Sequence, residues 1–215
     1  MSLLEMRKYL VTEKGYNYKD IFEDEYSPVV VAGEISMYAH RNQKRENGED
    51  YYNHPLRVLK IYQEKLGIVN NRISHFTNIA LLNELKIPFY GVQEVCLLHD
   101  VIEDTDITIE EIEFVFDILK HDDYFYDYIK EPLLLITYNK NDDYDTYIEK
   151  IMTHPVAALV KLMDLMDNSK LLSLKTLSEK EYNRTLKYIK CAKKINDKYY
   201  FIEKFDKYRQ LLKKE

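Results

Sequence analysis

The chain has 215 residues, 46% hydrophobic and 32% charged, the make-up of a globular protein long enough for one well-buried core but cramped for two. Five Gly and five Pro are too few for the many tight turns of a sandwich or barrel, and the long periodic segments between them predict an all-α fold. A formal net charge of −6 argues against a general nucleic-acid binder, and no apolar run approaches the roughly 20 residues of a membrane span.

Cys96 and Cys191 stand far apart with no CxxC spacing, so no disulfide framework is expected. Cys96 reads as a buried thiol in an apolar run. No secretory h-region opens the chain, and a cytoplasmic setting is the expectation.

Residues 2–15 read as a short helix, and 16–26 as an acidic, aromatic stretch without a clear pattern. From Pro28 the run VVVAGEISMYAH has apolar residues on one helical face and carries His40 at its end. A polar segment follows, with Asn47-Gly48 as a turn signal. Pro55 in the first turn begins the next helix, which Gly67 closes.

A helical stripe over 71–86 includes Ile73, Phe76, Ile79, Ala80 and Leu82 to Leu85, and ends before Pro88. After Gly91, VQEVCLLHDVIE reads as one strongly apolar helix. Thr108 with Glu111 has the capping-box pattern and starts a helix over 108–120. Further helices are predicted at 123–137, 143–153 and 155–168. From Ser178 a long Lys- and Tyr-rich helix runs to the end, with a break placed near Asn196-Asp197. Its apolar side is Tyr188, Ile195, Tyr199, Ile202, Phe205, Tyr208 and Leu212, read as a packing face that leaves a homodimer contact open.

Against this helical background one constellation carries chemistry: His54, His99-Asp100 and Asp164, with Glu103-Asp104 beside them. Two imidazoles and two carboxylates suit a divalent metal of intermediate hardness, such as manganese, iron or zinc. Such an ion can acidify a water and polarise a phosphoryl oxygen, which points to phosphate-ester hydrolysis. Adjacent residues on a helix point about 100° apart, so His99 and Asp100 reach one ion only with local distortion. Glu103 and Asp104 follow them by four positions and form an acid/base layer one turn on.

Each residue alone has a plainer reading. His54 could be a loop histidine, Asp164 a salt-bridged acid, and Glu103-Asp104 a solvated helix end. Asp167 is the nearest decoy for Asp164. His40, His75, His121 and His154 read as structural or surface residues. Only the joint occurrence, with apolar helices around each member, favours a metal site.

The motifs AHRNQKRENGEDYYNHPLRV at 39–58, VCLLHDVIEDT at 95–105 and PVAALVKLMDLMDN at 155–168 together resemble the HD-domain phosphohydrolases. The resemblance is greatest to the hydrolase domain of RelA/SpoT-type alarmone enzymes and to small stand-alone alarmone hydrolases. It spans about residues 30–175, which makes 1–215 a single HD-type domain with a C-terminal helical extension over about 178–213.

The family implies one metal, commonly Mn²⁺ with Fe²⁺, Zn²⁺ or Mg²⁺ as alternatives, held by His54, His99, Asp100 and Asp164. It implies that Glu103 and Asp104 orient or activate the attacking water. Arg45, Tyr51, Lys161 and Asn168 fall at positions that meet a nucleotide, and the implied reaction removes the 3′-pyrophosphate of (p)ppGpp. Glu46, Leu165 and Leu171 depart from the family's basic or polar residues on the base side. Two alternatives therefore stay open: an HD-type 5′-nucleotidase or other phosphomonoesterase, and a nucleotide-sensing module without catalysis.

Overall fold

A computed structural model describes residues 27–66, 75–88, 90–118, 121–169 and 178–212. The expectations for 2–15 and 16–26, for Gly67 and Ile73, and for Leu171 lie outside the described residues, as do the side chains of Phe76, Ile79 and Leu212. Helices occupy most of the rest: α1 Pro28–Ala39, α2 Asn53–Leu66, α3 His75–Leu85, α4 Val92–Leu98, α5 Val101–Asp104 and α6 Ile109–Ile118. They continue as α7 Asp122–Phe125, a π-helical turn Tyr126–Lys130, α8 Glu131–Ile136, α9 Tyr144–Ile151, α10 Pro155–Asn168, α11 Glu179–Tyr199 and α12 Phe201–Leu212. Among the described residues β pairing is confined to an isolated bridge between Lys44 and Asp50.

The architecture is built around α10. Pro155 supplies the first-turn proline that needs no intrahelical donor, and every residue from Val156 to Leu165 is buried. A helix apolar on all sides must be surrounded, and α2, α4, α8, α9 and α11 all pack on α10. Within it, Lys161, Asp164, Asp167 and Asn168 follow at i, i+3, i+6 and i+7, a polar stripe along an otherwise apolar rod. Helices α1 and α2 both pack on α4, so the segments bearing His54, His99 and Asp164 meet at one place.

Three boundaries depart from expectation. The run predicted as one helix after Gly91 is broken: α4 ends at Leu98, and Asp100 (φ −99°, ψ −5°) sits between it and α5. The segment predicted as a regular helix over 123–137 contains the π turn directly before Pro132. Proline lacks the donor that would extend regular pairing, and the wider turn accommodates its ring. The C-terminal break falls at Tyr200, in left-handed backbone (φ 56°), and not at Asn196-Asp197. Asn196 instead bridges the break: its Oδ1 accepts from the Ile202 amide at 2.9 Å, and its Nδ2 donates to Glu203 at 2.9 Å. The capping boxes at Thr108/Glu111 and Ser178/Glu181 both form.

Candidate metal centre

His54 begins α2, and its ring is buried with both nitrogens committed. Nδ1 lies 2.8 Å from Asp167 Oδ2, and Nε2 lies 3.1 Å from Asp164 Oδ1 and 3.5 Å from Asp100 Oδ2. His99, at the end of α4, places Nδ1 2.9 Å from the Cys96 carbonyl oxygen. Its Nε2 is 3.2 Å from Asp100 Oδ1, 3.8 Å from Asp164 Oδ1 and 3.4 Å from Nε2 of His54. The break after α4 permits this: once the backbone leaves the helix at Asp100, the two neighbouring side chains turn to one side.

This donor set fits a cation. A carbonyl oxygen only accepts, so His99 donates from Nδ1 and leaves Nε2 as a lone pair. Asp167 assigns the same tautomer to His54. Two imidazole lone pairs 3.4 Å apart, flanked by two carboxylates, form a concentrated acceptor cluster. Two ligands each about 2.1 Å from one ion lie about 3.0–3.4 Å apart, the spacing found here. His54, His99 and Asp100 have ligand atoms that all lie within 4.8 Å of one another, and Asp164 closes on both imidazoles.

Metal-free, the cluster holds protons instead. Burial opposes charge on His99, but Asp100 and Asp164 outweigh it and push its pKa up to about 10. Burial likewise opposes charge on Asp100 and Asp164; His99 and His54 hold the first below its ordinary range, and Lys161 with both imidazoles holds the second there.

A second layer fixes these ligands. Asp167 is the decoy of the sequence reading, yet it is buried and supports the centre: it accepts from His54 and from Arg57 Nε at 3.0 Å. Arg57 also pairs with Glu49. The Lys161 ammonium sits 2.9 Å from Asp164 Oδ2, Asn168 Nδ2 donates to Asp164 Oδ1, and Arg45 donates to Asn168 Oδ1 at 2.7 Å. Arg45, Lys161 and Asn168 thus gather on the Asp164 side. The Tyr51 hydroxyl lies 2.9 Å from Asp100 Oδ2 and 2.6 Å from Asp104 Oδ2.

Glu103 Oε2 accepts from the Tyr138 amide at 3.0 Å, and burial raises its pKa. Beside Glu103 and Asp104 opens a cleft of about 490 Å³ bounded by Arg41, Gln43, Asp106 and Lys140; the four metal candidates are not in its lining. Glu46 pairs with Arg184 of α11 at 3.4 Å, which returns a positive charge to that corner from a distant element.

The sequence reading gave no part to Arg57 and set Asp167 aside as a decoy, while His40, read as structural or surface, is buried. Arg57 stands three positions after His54 and Asp167 three after Asp164, and that matched spacing was the available signal.

A helical fold closed around two imidazoles and two carboxylates defines the class: an all-α fold with a candidate divalent-metal centre. No protein-family model matches the chain. Over 94 residues it is 32% identical to guanosine-3′,5′-bis(diphosphate) 3′-pyrophosphohydrolase MESH1 of Mus musculus, a match covering 43% of this chain and 42% of that protein. Over 112 residues it is 34% identical to GTP pyrophosphokinase rsh of Brucella melitensis biotype 1, covering 52% of this chain and 12% of that protein. The matched segment is thus less than half the length of either relative. A solved structure described as a metazoan ortholog of SpoT that hydrolyzes ppGpp and plays a role in starvation responses superposes with a TM-score of 0.53 at 24% identity. That likeness covers 86% of this chain and 96% of the other, and it shows the fold. The chain is similar to RelA/SpoT-type hydrolases in sequence over about half of its length and in fold over most of it.

Proposed function

We propose that the protein is a divalent-metal-dependent phosphohydrolase that removes the 3′-pyrophosphate from (p)ppGpp or a related 3′-phosphorylated nucleotide. The observation that carries this reading is the approach of His54, His99 and Asp164 to within 4 Å of one another, with Asp100 against both imidazoles. The activity for which the MESH1 relatives are named supports the choice of substrate.

His54, His99, Asp100 and Asp164 hold the ion, and their mixed nitrogen and oxygen donors suit Mn²⁺. When bound, the ion supplies Lewis acidity: it offsets charge on a phosphoryl oxygen and acidifies a water. Asp104 orients the attacking water. Glu103 exchanges the proton, and its burial raises its pKa above the ordinary carboxylate range. Water adds to the phosphorus carried on O3′, the P–O3′ bond breaks, and O3′ takes up a proton. Arg45, Lys161 and Asn168 bind the nucleotide from the Asp164 side, with the Arg45 guanidinium over the Tyr51 ring at 5.8 Å. The setting is the cytoplasm.

The test is incubation of chelator-stripped, Mn²⁺-reconstituted protein with ppGpp. GDP and pyrophosphate are expected in equal amounts. A second reading, an HD-type phosphomonoesterase, draws on the acidic Glu46 where alarmone hydrolases carry a basic residue. It predicts orthophosphate from nucleoside monophosphates with ppGpp intact. Tight nucleotide binding without turnover in any metal would instead mark a sensing module.

A further inference from the structure

On that reading of the site, we propose that the Tyr51 hydroxyl is a positioning group: it ties Asp104 to the metal-ligand carboxylate Asp100, and Gln43 and His40 hold the tie in place. Asp104 is the last residue of the four-residue helix α5 and is exposed, so its side chain would otherwise sample several rotamers. A carboxylate that handles a proton must stay within hydrogen-bond reach of the reacting water, and a misplacement of about 1 Å costs roughly 100-fold in rate. Tyr51 supplies the missing restraint. Its hydroxyl carries one hydrogen and sits between Asp100 Oδ2 at 2.9 Å and Asp104 Oδ2 at 2.6 Å, donating to one carboxylate at a time.

The phenol is itself pinned. Its ring stacks on His40 with centroids 4.6 Å apart and planes 21° from parallel, and it meets His54 edge-on at 6.2 Å. His40 is fully buried, and its Nδ1 is 2.6 Å from Gln43 Oε1. The Gln43 amide nitrogen donates to the Asp104 backbone carbonyl at 2.5 Å, which fixes the amide's orientation and makes His40 Nδ1 the donor. His40 Nε2 is then an acceptor lone pair without a partner, a lesser penalty than an orphaned N–H. The loop closes through the backbone, where the Tyr51 amide donates to Gln43 O at 3.1 Å. Segment 40–51 therefore grips Asp104 twice, by main chain through Gln43 and by carboxylate through Tyr51.

Tyr51→Phe deletes the hydroxyl and keeps the ring on His40. The expected result is a kcat about 10- to 100-fold lower, with KM and Mn²⁺ affinity within about 3-fold of wild type. Because Tyr51 acts through Asp104, adding Tyr51→Phe to Asp104→Ala should cause no further loss. A raised KM at unchanged kcat, loss of the metal, or losses that multiply in the double variant would each overturn the proposal. A crystal structure of Tyr51→Phe gives a readout independent of the substrate. The Asp104 carboxylate is expected to swing away from Asp100, and its staying in place would refute the tie. Wild-type protein inert toward ppGpp would defeat the proposed reaction alone, and the Tyr51→Phe structure would still decide this point.

Discussion

Asp167 meets the candidate centre at the far nitrogen of His54, and the orientation of that ring depends on it. By accepting from Nδ1 it selects the tautomer that presents an Nε2 lone pair, and support of this kind commonly accounts for 10- to 100-fold in metal affinity. Asp167→Ala should therefore weaken Mn²⁺ binding by about that factor in calorimetric titration, and an unchanged affinity would show that packing alone orients the ring. His99 gives a pH dependence. Its folded, metal-free pKa is raised from 6.5 to about 10, so its contribution is full below 6.5 and is lost as pH climbs through 10. The thermal midpoint of metal-free protein should fall across that window, and saturating Mn²⁺ should flatten the fall because the ion displaces the proton. An equal slope in both forms would contradict the assignment. The residue types at 54, 99, 100 and 164 made the candidate ligand set legible in the sequence, and the fold brings the four together. Spacing could not tell Asp164 from Asp167, because only the folded approach of α2 to α10 decides which acid faces Nε2 and which Nδ1.

Helix α4 delivers His99, and its starting point is set by one glycine. Gly91 has φ +87°, and a Cβ there would lie 2.4 Å from the Tyr128 carbonyl oxygen in the π turn. Gly91→Ala should cost about 3 kcal/mol in denaturant unfolding, combining left-handed strain with a clash against backbone that cannot step aside. A loss under about 1 kcal/mol would mean the turn yields. Ser178→Ala removes the hydroxyl half of the box opening α11 and should cost about 1 kcal/mol by the same measurement. At this scale the sequence was legible where local chemistry governs: prolines at helix starts, the Gly48 turn (φ +87°) and the capping box at Thr108/Glu111. It was not legible where tertiary demands win. The break at Asp100 serves the convergence of the ligands, and the π turn lies against Gly91 and α4; neither leaves a periodic trace in the sequence.

At the scale of the whole molecule, α10 is the axis, and the candidate centre lies where α2 and α4 meet it. The C-terminal helices belong to the same body: α11 packs on α10, α12 packs on α2 and α3, and Arg184 reaches back to Glu46. Of the amphipathic face read from the sequence, Ile195 and Phe205 are buried, and Tyr188, Tyr199, Ile202 and Tyr208 are half-buried. Among the described residues no helix is long and apolar enough to cross a membrane. Because the candidate ligands come from three separate parts of the helical array, an ion held by them should stabilise the packed helices together, by about 2.7 kcal/mol at 100 times Kd. The most direct test is equilibrium titration of Mn²⁺ into chelator-stripped wild-type and His54→Ala proteins. One ion per chain with a matching rise in thermal midpoint is expected for the wild type, and neither for the variant. Identical binding by both proteins, or none by either, would contradict the convergence of four side chains on a single ion.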